Sequence, residues 1–363
     1  MVMGTNDKGV YLATALATPW QKRIALVIAL AALMIFAVIV PFVRTPLLQM
    51  PAFIPSYEAA LYFIDLITAI LLFDQARRLK SISILVLAAG YLFDAFVIVP
   101  HALSFPGAFA AGGLIGGGAQ TTAWLYVFWH GGFPLFVLAY ALLRRRETKS
   151  GGLPPATGWT ITVAVLVAAV LALAATLLAT WQHDLLPVVM RGGDYSLLVT
   201  KGISPAVWLL TLVALVALWQ RKQRVVDLWL MLVMWIWLFD IALAAVIGAS
   251  RFDLGFYAGR IFGLIAAGFL LVTLIVEMAQ LYAGAITAAT RAEEKLILLG
   301  RVQERRPLER RRGERTTSSY IQRENIARYQ ALLASPELDG AQRSAIEKLL
   351  AEEEERYRAA GEG

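Results

Sequence analysis

The sequence predicts an all-α protein. It reads as a polytopic helical membrane bundle of about eight transmembrane helices, the last extended into a cytoplasmic helix and followed by a short C-terminal helical hairpin. Three observations predict this. Apolar residues make up 59% of the chain and charged residues 16%, a balance that excludes an ordinary soluble domain. A series of apolar segments each approaches the ~20 residues that cross a bilayer as a helix. Basic residues collect in alternate connections, as the positive-inside rule requires of a multi-pass protein.

In order, residues 1–19 form a short polar and Ala/Thr-rich lead, expected in the cytoplasm. Spans are expected near 21–43, 56–76, 81–103, 120–143, 157–181, 203–220, 225–248 and 257–282. Lys22-Arg23 opens an apolar run too long for the core of a cleaved signal peptide, so the first span is expected to be retained. Arg77, Arg78 and Lys80 mark the second connection, Arg144, Arg145, Arg146 and Lys149 the fourth, and Arg221, Lys222 and Arg224 the sixth. With Lys8, Lys22 and Arg23 at the start, this alternation puts both termini in the cytoplasm of a bacterial inner membrane. The net charge of +7 therefore reads as orientation rather than as a nucleic-acid surface. Absence of cysteine removes disulfides, thiolate metal sites and covalently attached haem.

Beyond the spans, residues 20–290 form the membrane domain, 291–317 a basic helical connector and 318–363 a helical hairpin tail. Gly259, Gly263 and Ala267 make a small-residue ridge on the eighth span, open to packing inside the bundle or to a homodimer. The arginines at 305, 306, 310, 311, 312 and 315, around Pro307, form either a solvated linker or a patch for anionic membrane lipid. Ile326, Tyr329 and Leu333 make one apolar stripe of the hairpin, and Ile346, Leu349 and Leu350 the other. Asp339-Gly340-Ala341-Gln342 has the form of a capping box opening the second helix.

Polar residues inside the spans fall on shared faces. Glu58, Tyr62 and Asp65 lie at helical spacing on the second span, and Tyr91, Asp94 and His101 on the third. Thr122, Tyr126 and His130, with Trp124 nearby, lie on the fourth; Trp237 and Asp240 lie on the seventh, and Tyr257 and Arg260 on the eighth. These fall in the outer half of the bilayer, where ionisable groups are costly and commonly mark a site. The pattern predicts one outward-opening polar pocket for a small-molecule ligand, protons or a cation, although individual groups also serve as ties between helices. Arg260 is expected to pair with Asp240 or Glu58. Possible cofactors include a divalent metal on His101 or His130 with carboxylates. Haem is disfavoured, because these histidines are expected to differ in depth by about 12 Å at the helical rise per residue. Retinal is disfavoured because no span carries a lysine inside its apolar run, Lys22 standing only at the mouth of the first. Arg191-Gly192-Gly193-Asp194-Tyr195 superficially looks like a diguanylate-cyclase signature, but it falls in an outer connection rather than a soluble α/β domain.

The phrases Ala88-Ala89-Gly90-Tyr91-Leu92-Phe93, Pro100-His101-Ala102-Leu103-Ser104-Phe105-Pro106-Gly107 and Gln120 to Leu142 resemble the membrane-associated sensor domain of MASE type 4. The resemblance covers roughly residues 20–290. It implies an eight-span sensory module joined by a helical connector to a histidine-kinase or diguanylate-cyclase output domain. Beyond residue 290 there is no histidine and no nucleotide loop or cyclase signature. The resemblance therefore implies a non-enzymatic sensor that signals through a cytoplasmic protein partner, or a form that has lost its enzyme. Two other readings stay open: an ion-coupled transporter, for which Asp227 and Glu277 are the inner-half acids, and a membrane metal or redox protein.

Overall fold

A computed structural model describes residues 16–116, 120–149, 155–220, 224–248, 250–304, 314–336 and 338–361. The chain divides into two units, Met1–Met278 and Ala279–Gly363. Helices are α1 (Pro19–Ile39), α2 (Phe53–Leu79), α3 (Ile82–Ser104), α4 (Thr121–Lys149), α5 (Gly158–Thr180), a short α6 (Ser196–Thr200), α7 (Ile203–Trp219), α8 (Val225–Ile241), α9 (Leu254–Glu304), α10 (Glu314–Leu333) and α11 (Gly340–Gly361). Seven of these elements are long and apolar enough to cross a membrane. The sixth expected span is α7, an apolar helix of 17 residues. The protein is a multi-pass helical membrane bundle.

Burial divides the bundle into centre and rim. The apolar windows of α3 and of α8 with its following turn are 78% and 83% buried, against 11% for α1 and for α5. The rim helices instead expose Leu30, Met34, Val38, Leu166, Val170 and Leu173. Apolar side chains have no reason to hide from hydrocarbon, so this is a lipid-facing surface. At the centre, α3 and α4 approach closely through glycine: a Cβ on Gly132 would lie 2.4 Å from Phe93, and one on Gly90 2.7 Å from Phe136. The ridge on α9 is used within the bundle. A Cβ on Gly259 would lie 2.9 Å from Ala244 and from the Asp240 backbone oxygen, and one on Gly263 2.9 Å from the Asp240 carboxylate.

The arginine-rich connections gather at one end. Thr18 caps α1 by accepting from the Gln21 amide at 3.2 Å, and Leu16 bridges to Arg224. Lys80 ends α2 in the left-handed region, and Ser81 caps α3. Glu147 reaches over from α4 to accept from the Ser83 amide and hydroxyl at 2.9 and 2.7 Å. Arg145 donates to Gln220 at 2.9 Å. Buried Asp227 accepts from Tyr140 at 2.6 Å and from the Arg224 amide at 3.1 Å, and pairs with Arg144 at 3.6 Å. Asp227 thus joins α4 to the start of α8, a structural role. The side chain of Glu277, the other inner-half acid, lies outside the described residues, as do Lys8, Arg221 and Lys222.

In the second unit, α10 and α11 form a hairpin whose partly buried stripes include Ile326, Tyr329 and Leu333, and Ile346, Leu349 and Leu350. The capping box at Asp339 is made: the Gln342 amide donates to Asp339 at 2.7 Å, and the Asp339 amide donates back to Gln342 at 3.2 Å. Pro307 and the arginines at 305, 306 and 310–312 lie outside the described residues.

Candidate functional site

The opposite end of the first unit is where the polar side chains meet. Two acid–histidine pairs are buried there. Glu58 on α2 meets His101 Nδ1 on α3 at 2.7 Å, and Asp240 on α8 meets His130 Nε2 on α4 at 3.3 Å. The other ring nitrogen of His130 lies 3.1 Å from the Tyr126 carbonyl one turn earlier. A carbonyl only accepts, so that nitrogen carries a proton, and the contact to Asp240 shares one further proton between ring and carboxyl. Each ring pairs across two helices, with aromatic neighbours between the pairs. His101 and His130 both lie against Trp129, at centroid distances of 5.8 and 4.6 Å, and Tyr126 stacks on His130 at 3.8 Å.

These pairings correct one expectation. Arg260 bridges to neither Asp240 nor Glu58: its guanidinium donates to the Phe256 carbonyl at 2.9 Å and lies 3.6 Å over the Phe256 ring. The acids it was expected to meet are held by histidines, which the close seating of α9 on Asp240 permits. The Trp129 indole stands against both histidine rings.

Deeper in the bundle lie Asp65, Asp94 and Tyr91, all buried. The two carboxyls and the phenol are close enough to interact electrostatically. Among the described residues, several buried polar atoms in this region lack a hydrogen-bond partner: Glu58 Oε2, Tyr91 OH, Tyr126 OH and Trp237 Nε1, while Asp94 and the Trp129 indole interact with each other. Each such group forfeits the hydrogen bonds it would make to water, a cost of about 1–3 kcal/mol. So many on four neighbouring helices set this region apart from an ordinary packed core. Among the described residues, no three His, Cys, Asp or Glu side chains gather as a metal site would require. The two acid–histidine pairs therefore do not form a ready-made cage, and a bound metal would need further donors.

Above the pairs opens a cavity of about 40 Å³, partly continuous with the outside. His101, Tyr126 and Arg260 line it, together with Thr122, Met190, Tyr195 and Arg251. Its wall is built from connections knitted to one another. Gln120 holds Val189 and Met190 through their amides at 2.7 and 2.9 Å. The Arg251 amide donates to Gly193, and Tyr195 OH donates to Ser250, each at 3.0 Å. Phe252 sits at φ 68°, a left-handed conformation rare for an aromatic residue, immediately beside the pocket residue Arg251. Past α8 the helix continues as a π turn, Ala242–Ile247, and Ala244 and Ala245 line the pocket. Such turns recur at functional sites.

These connections carry positive charge in surroundings that oppose it. Burial, with the charge of Arg260 adding to it, pushes Arg251 down to about 10, so it remains a cation at neutral pH. Burial holds the Tyr195 phenol well above its ordinary range and keeps it protonated as a donor. Asp194 is held below the ordinary carboxylate range, chiefly by the Ser196 amide it accepts at 2.7 Å.

Other expected site residues stand apart. Tyr62 is half-buried and meets Phe63 edge-on at 5.3 Å. Trp124 donates its indole N–H to Pro187 at 3.1 Å, and Tyr257 donates to Leu48 at 2.7 Å; both tie connections to the bundle. The sequence reading missed Arg251, Tyr195 and Met190. The Arg-Gly-Gly-Asp-Tyr stretch was the available signal: its chemistry serves a turn that walls the pocket.

A family model described as a membrane-associated sensor, integral membrane domain (MASE4), matches residues 48–282. The chain belongs to the MASE4 family. Neither a curated protein nor a solved structure matches it. The MASE4 match begins after α1, and it encloses both acid–histidine pairs and every residue that lines the pocket. A membrane sensory role follows from membership of MASE4.

Proposed function

We propose that the protein is a bacterial inner-membrane sensor, with both termini cytoplasmic, that admits a small ligand or proton to the outer polar end and relays occupancy through α9 to a cytoplasmic protein partner. The observation that carries this reading is the set of buried polar atoms without partners beside an open pocket. It is supported by the way Asp240, held by His130, also touches the glycine seam of α9. A ligand that alters the His130–Asp240 contact would bias the seating of α9, and it does so only by the difference in its affinity for the two seatings. On this reading the chain itself catalyses nothing, and lipid and the signalling partner are its macromolecular contacts, without nucleic acid. A divalent metal belongs to the proposal only as one of the stimuli to be tested.

The cysteine-free chain offers a direct test. A single Thr290→Cys carries a fluorophore on exposed α9, in vesicles challenged in turn with acidification, zinc and small carboxylic acids. At least one challenge changes emission in this protein and none does after Glu58→Gln, Asp65→Asn and His130→Gln are combined. Equal responses in both proteins, or none in either, would sink the reading.

A further inference from the structure

We infer that the pocket between Arg251 and Arg260 takes a small organic carboxylate with an apolar body. The inference deepens the sensor reading and rests on it for the pocket's role, but its chemistry is argued separately.

Two guanidinium groups line one pocket, and among the described residues neither has a carboxylate within ion-pair distance. The candidate acids are engaged elsewhere. Glu58 and Asp240 are held by histidines, while Asp194 and Asp253 accept from the backbone amides of Ser196 and Phe256. A half-buried and a buried cation lining one pocket repel each other, and an anion between them would remove that cost.

Their mounting favours a planar anion. Arg251 lies 4.8 Å over the Phe105 ring and Arg260 3.6 Å over the Phe256 ring, and the two rings are 6.3 Å apart. A guanidinium stacked on an aromatic face keeps its N–H fork in the plane of the stack, the geometry that grips a carboxylate at two points. Arg260 spends one N–H on the Phe256 carbonyl and keeps others. Tyr126, whose buried hydroxyl has no partner, lines the same pocket and offers a further donor. The rest of the wall includes Met190, Leu198, Ala244 and Ala245, which suits a hydrocarbon body and not the hydration of a bare phosphate.

The test is calorimetric titration of the full chain in discs of zwitterionic lipid, with benzoate, phenylacetate and hexanoate as probes, and inorganic phosphate and benzyl alcohol as comparators. At least one carboxylate binds, benzyl alcohol does not, and Arg251→Gln weakens the carboxylate about tenfold or more, as loss of a charge-assisted contact requires. Arg260→Gln weakens it similarly. Arg251 lies in a connection outside the spans, so its variant carries the test if the Arg260 variant fails to fold. No binding by any of the three acids, affinity unchanged in Arg251→Gln, or tighter binding of phosphate or benzyl alcohol overturns the proposal. Carboxylate binding with no change on α9 would keep this inference and remove the sensor reading; the reverse result would remove only this inference.

Discussion

The two ends of the first unit handle buried charge in opposite ways. At the arginine-rich end, Asp227 meets Tyr140, Arg144 and the Arg224 amide, and Glu147 caps α3 through Ser83. At the other end, among the described residues, carboxyl, phenol and indole atoms lie buried without partners, and two arginines line a pocket without an ion pair. A chain that can saturate a buried acid at one end has no physical need to leave others unsatisfied at the other. On the proposed sensor reading, the first end is built for stability and the second for exchange with something outside the chain.

The largest effect should come from damaging the saturated end. Arg144→Met leaves Asp227 buried without its cation and costs about 3–5 kcal/mol, read by denaturant unfolding in detergent. A variant as stable as its parent would erase the contrast between the ends. Substitution at the unsatisfied end should act in the other direction. Tyr91→Phe removes a buried hydroxyl without a partner among the described residues and raises stability by about 0.5–2 kcal/mol, as often happens where function has kept a site imperfect. A loss of stability comparable to that of Arg144→Met would show that the Tyr91 hydroxyl is a structural tie.

The smallest effect sharpens the comparison at the pocket wall. The Asp194 carboxyl has a depressed folded-state pKa, so its contribution is present above the unfolded value and is lost as pH falls through the folded one. Exchange protection of the Ser196 amide should therefore hold at neutral pH and fade under acid, while Asp194→Ala shows weak protection throughout. Protection in the parent that ignores acid would disconnect the wall from this carboxylate.

Much of this architecture was legible in the sequence, because hydrocarbon length and basic connections act locally along the chain. The capping box at Asp339 was legible for the same reason: donor and acceptor are three residues apart. Polar positions such as Glu58, His101, His130 and Asp240 could be placed on seams, but their partners depend on how helices rotate against one another. Arg260 shows the consequence, stacking on its own helix's Phe256 while histidines hold both acids. Arg251 and Tyr195 were harder still, since connections distant in sequence fold against each other to bring them to the pocket. The length of α7 and the π turn after α8 leave no simple mark in an apolar run.

The glycine seam on α9 has a mechanical consequence. Where side chains separate two helices, a small shift in one is absorbed by rotamer adjustment before it reaches the other. At Gly259 and Gly263 that compliant layer is missing, and the α9 backbone rests against Asp240 itself. On the proposed relay, a change in where the Asp240 carboxyl sits would therefore become a displacement of the helix with little lost as slack.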